Sequence, residues 1–510
     1  MKTIELFNEM KPENPEYTDG NHMFSMQGVD PLYYLNSGVQ EKQASPLVAT
    51  VAPTQASLWS VAIYGTIIQI IPAMVTPRTT GIDAYVLTDG LYVFGVNKTT
   101  NILLGNLKSL FLELVGTDGT IARMSIGYNG QLDVVAFSGN VYTLATNGAS
   151  YPDIIGGWTR RTPGDYFAGS GLKQIESFQN YMIVTNPIAG GNTMSKVQLY
   201  PYTNNFTGGN AGAITLGEGW QIMRAVNYKN KYIAMGAYYS SNQFPAGGNG
   251  TLASSNFSYI FFWNGSLTNT TRYQFSVPVN GTLVDMCMSN NTLYVISMDR
   301  QGNYALYHYS GGEELKKDFN IMFSPSLVAG GCLFPYPGGV GINLLNKGAY
   351  IYTSNNGKPY KYIITNYRTT STYLFCIATS GTFYIIDSDG VTTSVSYLNA
   401  STTSYQPIDA TTQWIPVNTK LSSVNVFYDT KPTNVGDYIR VTATAWSEDQ
   451  QDGVYTQQLS DITSTNNDTG IKTTLDLKGL TGTKLLLRIQ TNSTGTWRPS
   501  IRGVELNENI

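Results

Sequence analysis

Cysteine, histidine and charge are what this chain has least of. Among 510 residues there are 3 Cys, 2 His and a charged fraction of 13%, and each scarcity closes off a class of chemistry. Cys287, Cys332 and Cys376 sit in the apolar contexts DMCMS, GGCLF and LFCIA, where a thiol serves as a small core hydrophobe, so no disulfide framework is expected. His22 and His308 are too few for a His-based triad or a His zinc cluster, and His308, inside YALYHYS, reads as a packing residue among aromatics. A net charge of -3 provides no field to attract nucleic acid or an anionic membrane surface. Long apolar runs are missing too. WSVAIYGTIIQIIPAMV, from Trp59, is too short to span and is interrupted by Gln69 and Pro72, so it reads as strands and no membrane insertion is expected. MKTIELFNEMKPENPEYTDG places Glu5 and Glu9 where a secretory peptide needs an uninterrupted apolar stretch, so a cleaved export signal is not expected. No GxSxG, Walker-type, GxGxxG or CxxC motif stands in a suitable context.

What is abundant is Gly (51), Tyr (36) and Ser, Thr and Asn, a mixture that favours strands joined by tight turns and predicts an all-β chain. A degenerate unit recurs, a polar turn followed by a Tyr-led or Phe-led apolar run. It appears as LTDGLYVFGV at Leu87, FSGNVYTLAT at Phe137, FQNYMIVTNP at Phe178, YKNKYIAMGA at Tyr228, NNTLYVISMD at Asn290, LNKGAYIYTS at Leu345 and TSGTFYIIDS at Thr379. The spacing of about 35 to 60 residues lies in the range of propeller blades with variable loops. Asp-Gly, Gly-Asn, Asn-Asn and Ser-Gly dipeptides accept the positive φ that two-residue hairpins need. A small twisted sheet exposes two apolar faces and two edges. Radial packing buries the faces and leaves only short, protected edges. The expectation is a degenerate β-propeller of about seven blades over residues 46–410; six or eight blades fit the spacing nearly as well, and a β-solenoid or a series of β-sandwiches is the rival arrangement.

Two segments fall outside the repeat. Residues 1–45 are rich in Pro, Gly and Asn and lack a sustained apolar period, which predicts an extended arm. Its apolar anchors Leu6, Phe7, Phe24, Tyr33 and Tyr34 would dock on another surface, or the segment would form a first strand tucked under its own propeller. Residues 411–510 have longer alternating strands. In DYIRVTATAW, Ile439, Val441, Ala443 and Ala445 share one face, while Arg440, Thr442, Thr444 and Trp446 share the other. In KLLLRIQ, Leu485, Leu487 and Ile489 form the inward set. This period of two predicts a small antiparallel β-sandwich or jelly roll.

Carboxylate chemistry needs few residues. Asp387-Ser388-Asp389-Gly390 resembles the start of a calcium loop but lacks the downstream bidentate Glu, and a hairpin turn accounts for it. The stretch from Ser297 through Asp299 to Gly302 is one residue out of step with a sialidase Asp-box. Glu218, Glu313, Glu314, Glu448 and Asp449 are formal candidates for paired-carboxylate glycoside hydrolysis, with solvated loop charge as the ordinary reading. No catalytic residue, cofactor or metal site is assigned, and the chain is read as a non-enzyme. Sequons such as Asn97-Lys98-Thr99 and Asn264-Gly265-Ser266 follow from the abundance of Asn, Ser and Thr. For sugar stacking, Trp446 and Trp497 are the first candidates, with Trp158 and Trp263 beside them.

The turns TDGLYVF and NNTLYVI, together with the closing strands TKLLLRIQTNSTGTWRPSIRGVEL, resemble virion proteins of tailed bacteriophages and related archaeal viruses in which a degenerate propeller precedes a small β-sandwich. The resemblance covers most of the chain. It implies a structural role in the particle, at the tail, its connector or an external decoration, with other virion proteins and further copies of the chain as partners. It also implies assembly in the host cytoplasm and release by lysis. No individual residue's role carries over. The alternatives are an adhesin or receptor-binding protein for a host-surface glycan, and a propeller glycosidase.

Overall fold

The computed structural model describes residues 2–4, 23–27, 47–49 and, with gaps, 53–508; the longer gaps are 74–80, 115–121, 145–156, 162–173, 187–195, 202–211, 240–257, 365–373, 399–404 and 447–453. The chain is a β-propeller followed by two further sheets. Among the described residues there are seven four-stranded antiparallel sheets, called sheets I to VII below. Their first strands are Ile67–Pro72, Arg123–Ile126, Gln174–Phe178, Trp220–Tyr228, Thr282–Ser289, Leu333–Tyr336 and Leu374–Ile377. Each first strand touches the first strand of the next sheet, and Leu374–Ile377 returns to Ile67–Pro72, so the contacts close into a ring.

Residue chemistry explains why the sheets need one another. Middle strands such as Ala84–Thr88 are buried at every position, which requires cover on both faces. That cover comes from the neighbouring sheets. Trp59, Val86 and Tyr384 share one apolar cluster between sheets VII and I, Leu87, Met124 and Tyr142 another between I and II, and Ile183, Ile222 and Met235 another between III and IV. The apolar stretch from Trp59, read as strands, contains the end of the strand Pro53–Ser60 and the strand Ile67–Pro72, but Val61–Tyr64 between them is one turn of helix. Among the described residues no helix is long and apolar enough to cross a membrane.

Each of the seven repeat copies falls in a different sheet, but not at the same hairpin. The turns at Phe178, Tyr228, Asn290 and Thr379 join first to second strands, whereas those at Leu87, Phe137 and Leu345 join second to third strands. A short turn needs the same backbone angles at either place in a meander, so either place favours the same residues. Asn290 and Asn291 adopt φ 49° and 63°, the pair of left-handed residues that a type I′ turn requires.

Ring closure uses a strand from early in the chain. Pro53–Ser60 is the fourth strand of sheet VII and pairs antiparallel with Thr392–Leu398, from Thr392 opposite Ser60 to Leu398 opposite Pro53.

Beyond the ring lie a five-stranded and a seven-stranded sheet. Tyr438–Trp446 alternates buried and half-buried along its whole length, and Ile439, Val441 and Ala443 face inward with Leu485, Leu487 and Ile489, as the period of two predicted. Val424, Val426, Val504 and Leu506 of the five-stranded sheet belong to the same core cluster. Burying each such aliphatic side chain contributes about 1.5–3 kcal/mol.

These sheets correct the expected arm and boundaries. Lys2–Ile4 and Leu47–Val48 pair with Ser500–Glu508, and Met23–Gln27, which contains Phe24, pairs with Asp409–Thr412. The described parts of residues 1–49 are therefore strands of the chain's own C-terminal sheets. They complete edges that would otherwise present unpaired backbone groups. Asp409 and Ala410, placed at the end of the propeller by sequence, also belong there, in the strand Asp409–Thr412. Leu6, Phe7, Tyr33 and Tyr34 lie outside the described residues.

Candidate functional site

The first strands of sheets I to VI surround a cavity of about 300 Å³ on the inner side of the ring. Its apolar wall includes Ile71, Met124, Ile126, Val226, Met288 and Leu333, and its polar lining includes Arg123, Glu176 and Arg224. Four sheets contribute the charged cluster around it, with Arg123 from sheet II, Glu176 from III, Arg224 from IV and Asp285 from V.

Asp285 is the organising group. Its Oδ2 accepts hydrogen bonds from the backbone N–H groups of Cys332 at 2.7 Å and Leu333 at 2.8 Å. Its Oδ1 accepts from the N–H of Met286 at 2.8 Å and lies 3.3 Å from Arg224 Nη1. One carboxylate thereby ties sheets IV, V and VI together. Gly331 makes this approach possible. Its φ is +90°, and a Cβ there would lie 2.4 Å from Arg224 Nη1 and 2.6 Å from Asp285 Oδ2.

The electrostatics follow from burial. Glu176 is raised above the ordinary carboxylate range by loss of solvent, with Arg224 and the Ser177 N–H pulling the other way. Burial lowers Arg224, but Asp285 and Glu176 beside it outweigh that, and the net shift is upward. Arg123, 4% exposed, is brought down to about 9 by burial and by repulsion from Arg224, against the pull of Asp285; it still carries its proton at neutral pH. Its Nη1 donates to the Ala122 carbonyl at 3.0 Å, and its Nε is buried without a hydrogen-bond partner among the described residues. The free thiols Cys287 and Cys332 are both buried. Loss of solvent and the Asp285 charge push both upward, which keeps them protonated and poor nucleophiles.

The residues singled out from sequence fall elsewhere. Trp497 is 3% exposed and donates its indole N–H to Thr430. The correction is physical: a ring held inside the core offers no face to a sugar. Trp263 and Trp158 are buried as well. Trp446 is half-buried, and the Lys484 ammonium stands 4.9 Å from its ring centroid, so a sugar would have to displace that cation.

His308 Nδ1 is 2.9 Å from Asp318 Oδ1, which also accepts from the Tyr352 hydroxyl at 2.9 Å. Asp389 accepts from the N–H groups of Val391 and Thr392 at 2.9 and 2.6 Å, the hairpin role read from sequence. Asp299 is likewise a turn residue. Hydrogen bonds from the Asn303 side chain and backbone and from Gln301 hold its carboxyl below the usual range. Glu313 and Glu314 are exposed in a loop, and Glu218, Glu448, Asp449 and His22 lie outside the described residues. Among the described residues no group of three or more His, Cys, Asp or Glu side chains could hold a metal ion.

Sequence reasoning missed Arg123, Glu176 and Arg224. The one available signal was a charged residue inside an otherwise apolar strand, as in IARMSI, KQIESF and QIMRAVNY.

No protein-family model matches the chain, and no curated protein does. Solved structures similar to it include the WD40 domain of Toxoplasma gondii coronin, at 8% identity and TM-score 0.37 over 69% of this chain and 89% of that one. A glucose dehydrogenase is similar at 10% identity and TM-score 0.33, over 54% and 94%. Sqt1 of Saccharomyces cerevisiae is similar at 11% identity and TM-score 0.36, over 64% and 83%. At these identities and scores none of them carries an activity to this chain.

Proposed function

We propose that this chain is a structural component of a virus particle, at the tail or a tail-associated position, and that it assembles through one rim of its propeller. The observation that supports this reading is a group of large apolar side chains left in solvent on that rim. Ile63 is 62% exposed, Val391 72% and Leu112 87%, with Leu110 half-exposed beside it. The connectors carrying them meet at one place. The Val61 N–H bonds the Val391 carbonyl, and the Leu107 N–H bonds the Leu91 carbonyl. The Thr66 N–H bonds the Asp89 side chain in the same turn of sheet I. Soluble monomers rarely group exposed apolar residues of this size, and such groupings mark interaction surfaces.

Two further features agree with a non-enzymatic role. The Asp285 carboxylate is committed to holding three sheets together, and Cys287 and Cys332 are protonated and buried. The particle setting itself rests on the resemblance of the blade turns and closing strands to virion proteins.

The test is native mass spectrometry across a dilution series, comparing the wild-type chain with Ile63→Ser/Leu112→Ser. A defined, concentration-dependent oligomer that the double variant loses is the expected result. A wild-type monomer at every concentration, or an oligomer indifferent to both substitutions, would overturn self-assembly through this rim.

A further inference from the structure

We propose that Lys472 and Asn425 join in an intramolecular isopeptide bond, with Glu505 as the proton-transfer group, on the outer face of the five-stranded C-terminal sheet. This goes beyond the assembly reading and does not depend on it.

The first observation is placement. Leu421–Tyr428 lies between Ser500–Glu508 on one side and Lys472–Asp476 on the other. Asn425 stands opposite Glu505 in the first pairing and opposite Thr474 in the second, while Lys472 stands opposite Phe427. Val424 and Val426 belong to the core cluster, so the period of two puts Asn425 on the other face, with Lys472, Thr474 and Glu505 beside it. Diagonal neighbours in a sheet are about 7–8 Å apart, within reach of a long side chain. Lys472 uses that reach. Its Nζ lies 5.5 Å from the centre of the Phe427 ring and 3.9 Å from Glu505 Oε2, two strands away, so the side chain crosses the middle strand at Phe427 and Asn425.

The second observation is how the Asn425 amide is held. Only 2% of the residue is exposed. Its Nδ2 donates to the same Glu505 Oε2 at 2.8 Å, and its Oδ1 accepts from the Thr474 hydroxyl at 2.7 Å. Each contact suits acyl transfer. The hydroxyl is a donor at the oxygen where negative charge develops once the carbonyl carbon is attacked. One carboxylate oxygen faces both the attacking and the departing nitrogen, the position a proton-transfer group needs. Burial of the amide keeps out water, the competing nucleophile.

The chemistry balances within the chain. The Lys472 ammonium gives a proton to Glu505, and the free amine attacks Asn425 Cγ. A Cγ–Nζ bond forms, one amine proton moves to Nδ2, and the Cγ–Nδ2 bond breaks. Ammonia leaves and takes the proton back from Glu505, which returns to its carboxylate form. The product ties Lys472–Asp476, the end strand of its sheet among the described residues, covalently to its neighbour.

The experiment is intact-mass spectrometry of the denatured full chain, followed by a tryptic map. The expected mass is that of the sequence less one ammonia, with a branched peptide joining the segments around Asn425 and Lys472 and no cleavage after Lys472. Lys472→Arg and Asn425→Ala should each keep full mass and give no branched peptide. Glu505→Gln retains both reacting groups and should cross-link about 100-fold more slowly, or worse. The wild-type chain is the primary reading, so a variant that fails to fold does not remove the test. Full sequence mass after prolonged incubation at neutral pH, ammonia lost as a succinimide in a linear Asn-Gly peptide, or Glu505→Gln cross-linking at the wild-type rate would each overturn the proposal.

Discussion

Replacing Asp285 with Ala should be among the most damaging single changes in the ring. The substitution removes the acceptor for the Cys332 and Leu333 N–H groups, 2.7 and 2.8 Å away, and the partner of Arg224 at 3.3 Å. Each buried donor left unpaired costs about 1–3 kcal/mol, and breaking a buried ion pair from one side costs about 3–5 kcal/mol. The two costs overlap, and the Arg224 side chain keeps 20% of its surface, with Glu176 still near it. The expected loss is therefore nearer about 4–6 kcal/mol than the plain sum. Urea denaturation followed by fluorescence and by circular dichroism should show a first transition lowered by about 1–2 M. Asp285→Asn keeps an acceptor oxygen but loses the charge, and should fall between. Adding Arg224→Met to Asp285→Ala should recover part of the loss, because the stranded cation is removed with its partner gone. A loss below about 1 kcal/mol for Asp285→Ala, or a double variant no better than the single, would refute the view that this carboxylate holds three sheets together.

Other outcomes follow from the same structure. Because the folded state raises Glu176, its contribution is fully present below the unfolded glutamate value of about 4.3 and is lost as pH rises through the raised folded value. Glu176→Gln should therefore gain stability relative to wild type as pH climbs through that window, read as urea midpoints at successive pH values; a constant difference would contradict it. Cys287 and Cys332, buried and pushed upward, should resist iodoacetamide at pH 8 in the native protein and react on unfolding, as peptide mass spectrometry would report; rapid native labelling would show them exposed. Trp497→Ala should destabilise by about 3–5 kcal/mol through loss of a buried ring without altering glycan-array signals; an array signal that depends on Trp497 would reverse its assignment to the core.

How legible this molecule is from its residues depends on the range over which they act. The turn at Asn290 and Asn291 is written locally, since positive φ at two successive positions is a property of those two residues and their neighbours. The alternation of Tyr438–Trp446 is equally local, and its face assignments match the buried set. The repeat falls once in each of the seven four-stranded sheets among the described residues and leaves its place within the sheet open. First-to-second and second-to-third turns obey the same steric rule, so a sequence can mark a hairpin in each sheet without saying which one.

By itself, then, the sequence determined the hairpins, the strand faces and an all-β chain with little acid–base vocabulary, because φ preferences and period-two burial act between neighbours. Only the tertiary structure decided that Pro53–Ser60 closes sheet VII, that Lys2–Ile4, Met23–Gln27 and Leu47–Val48 complete the C-terminal sheets, and that Arg123, Glu176 and Arg224 line one cavity with Asp285 against Arg224. Strand partners distant in the chain depend on which sheet edges would otherwise stay unpaired, and no local residue preference records that. The charged cluster has no spacing to read. Its four members come from four sheets, and their meeting is set by the closure of the ring.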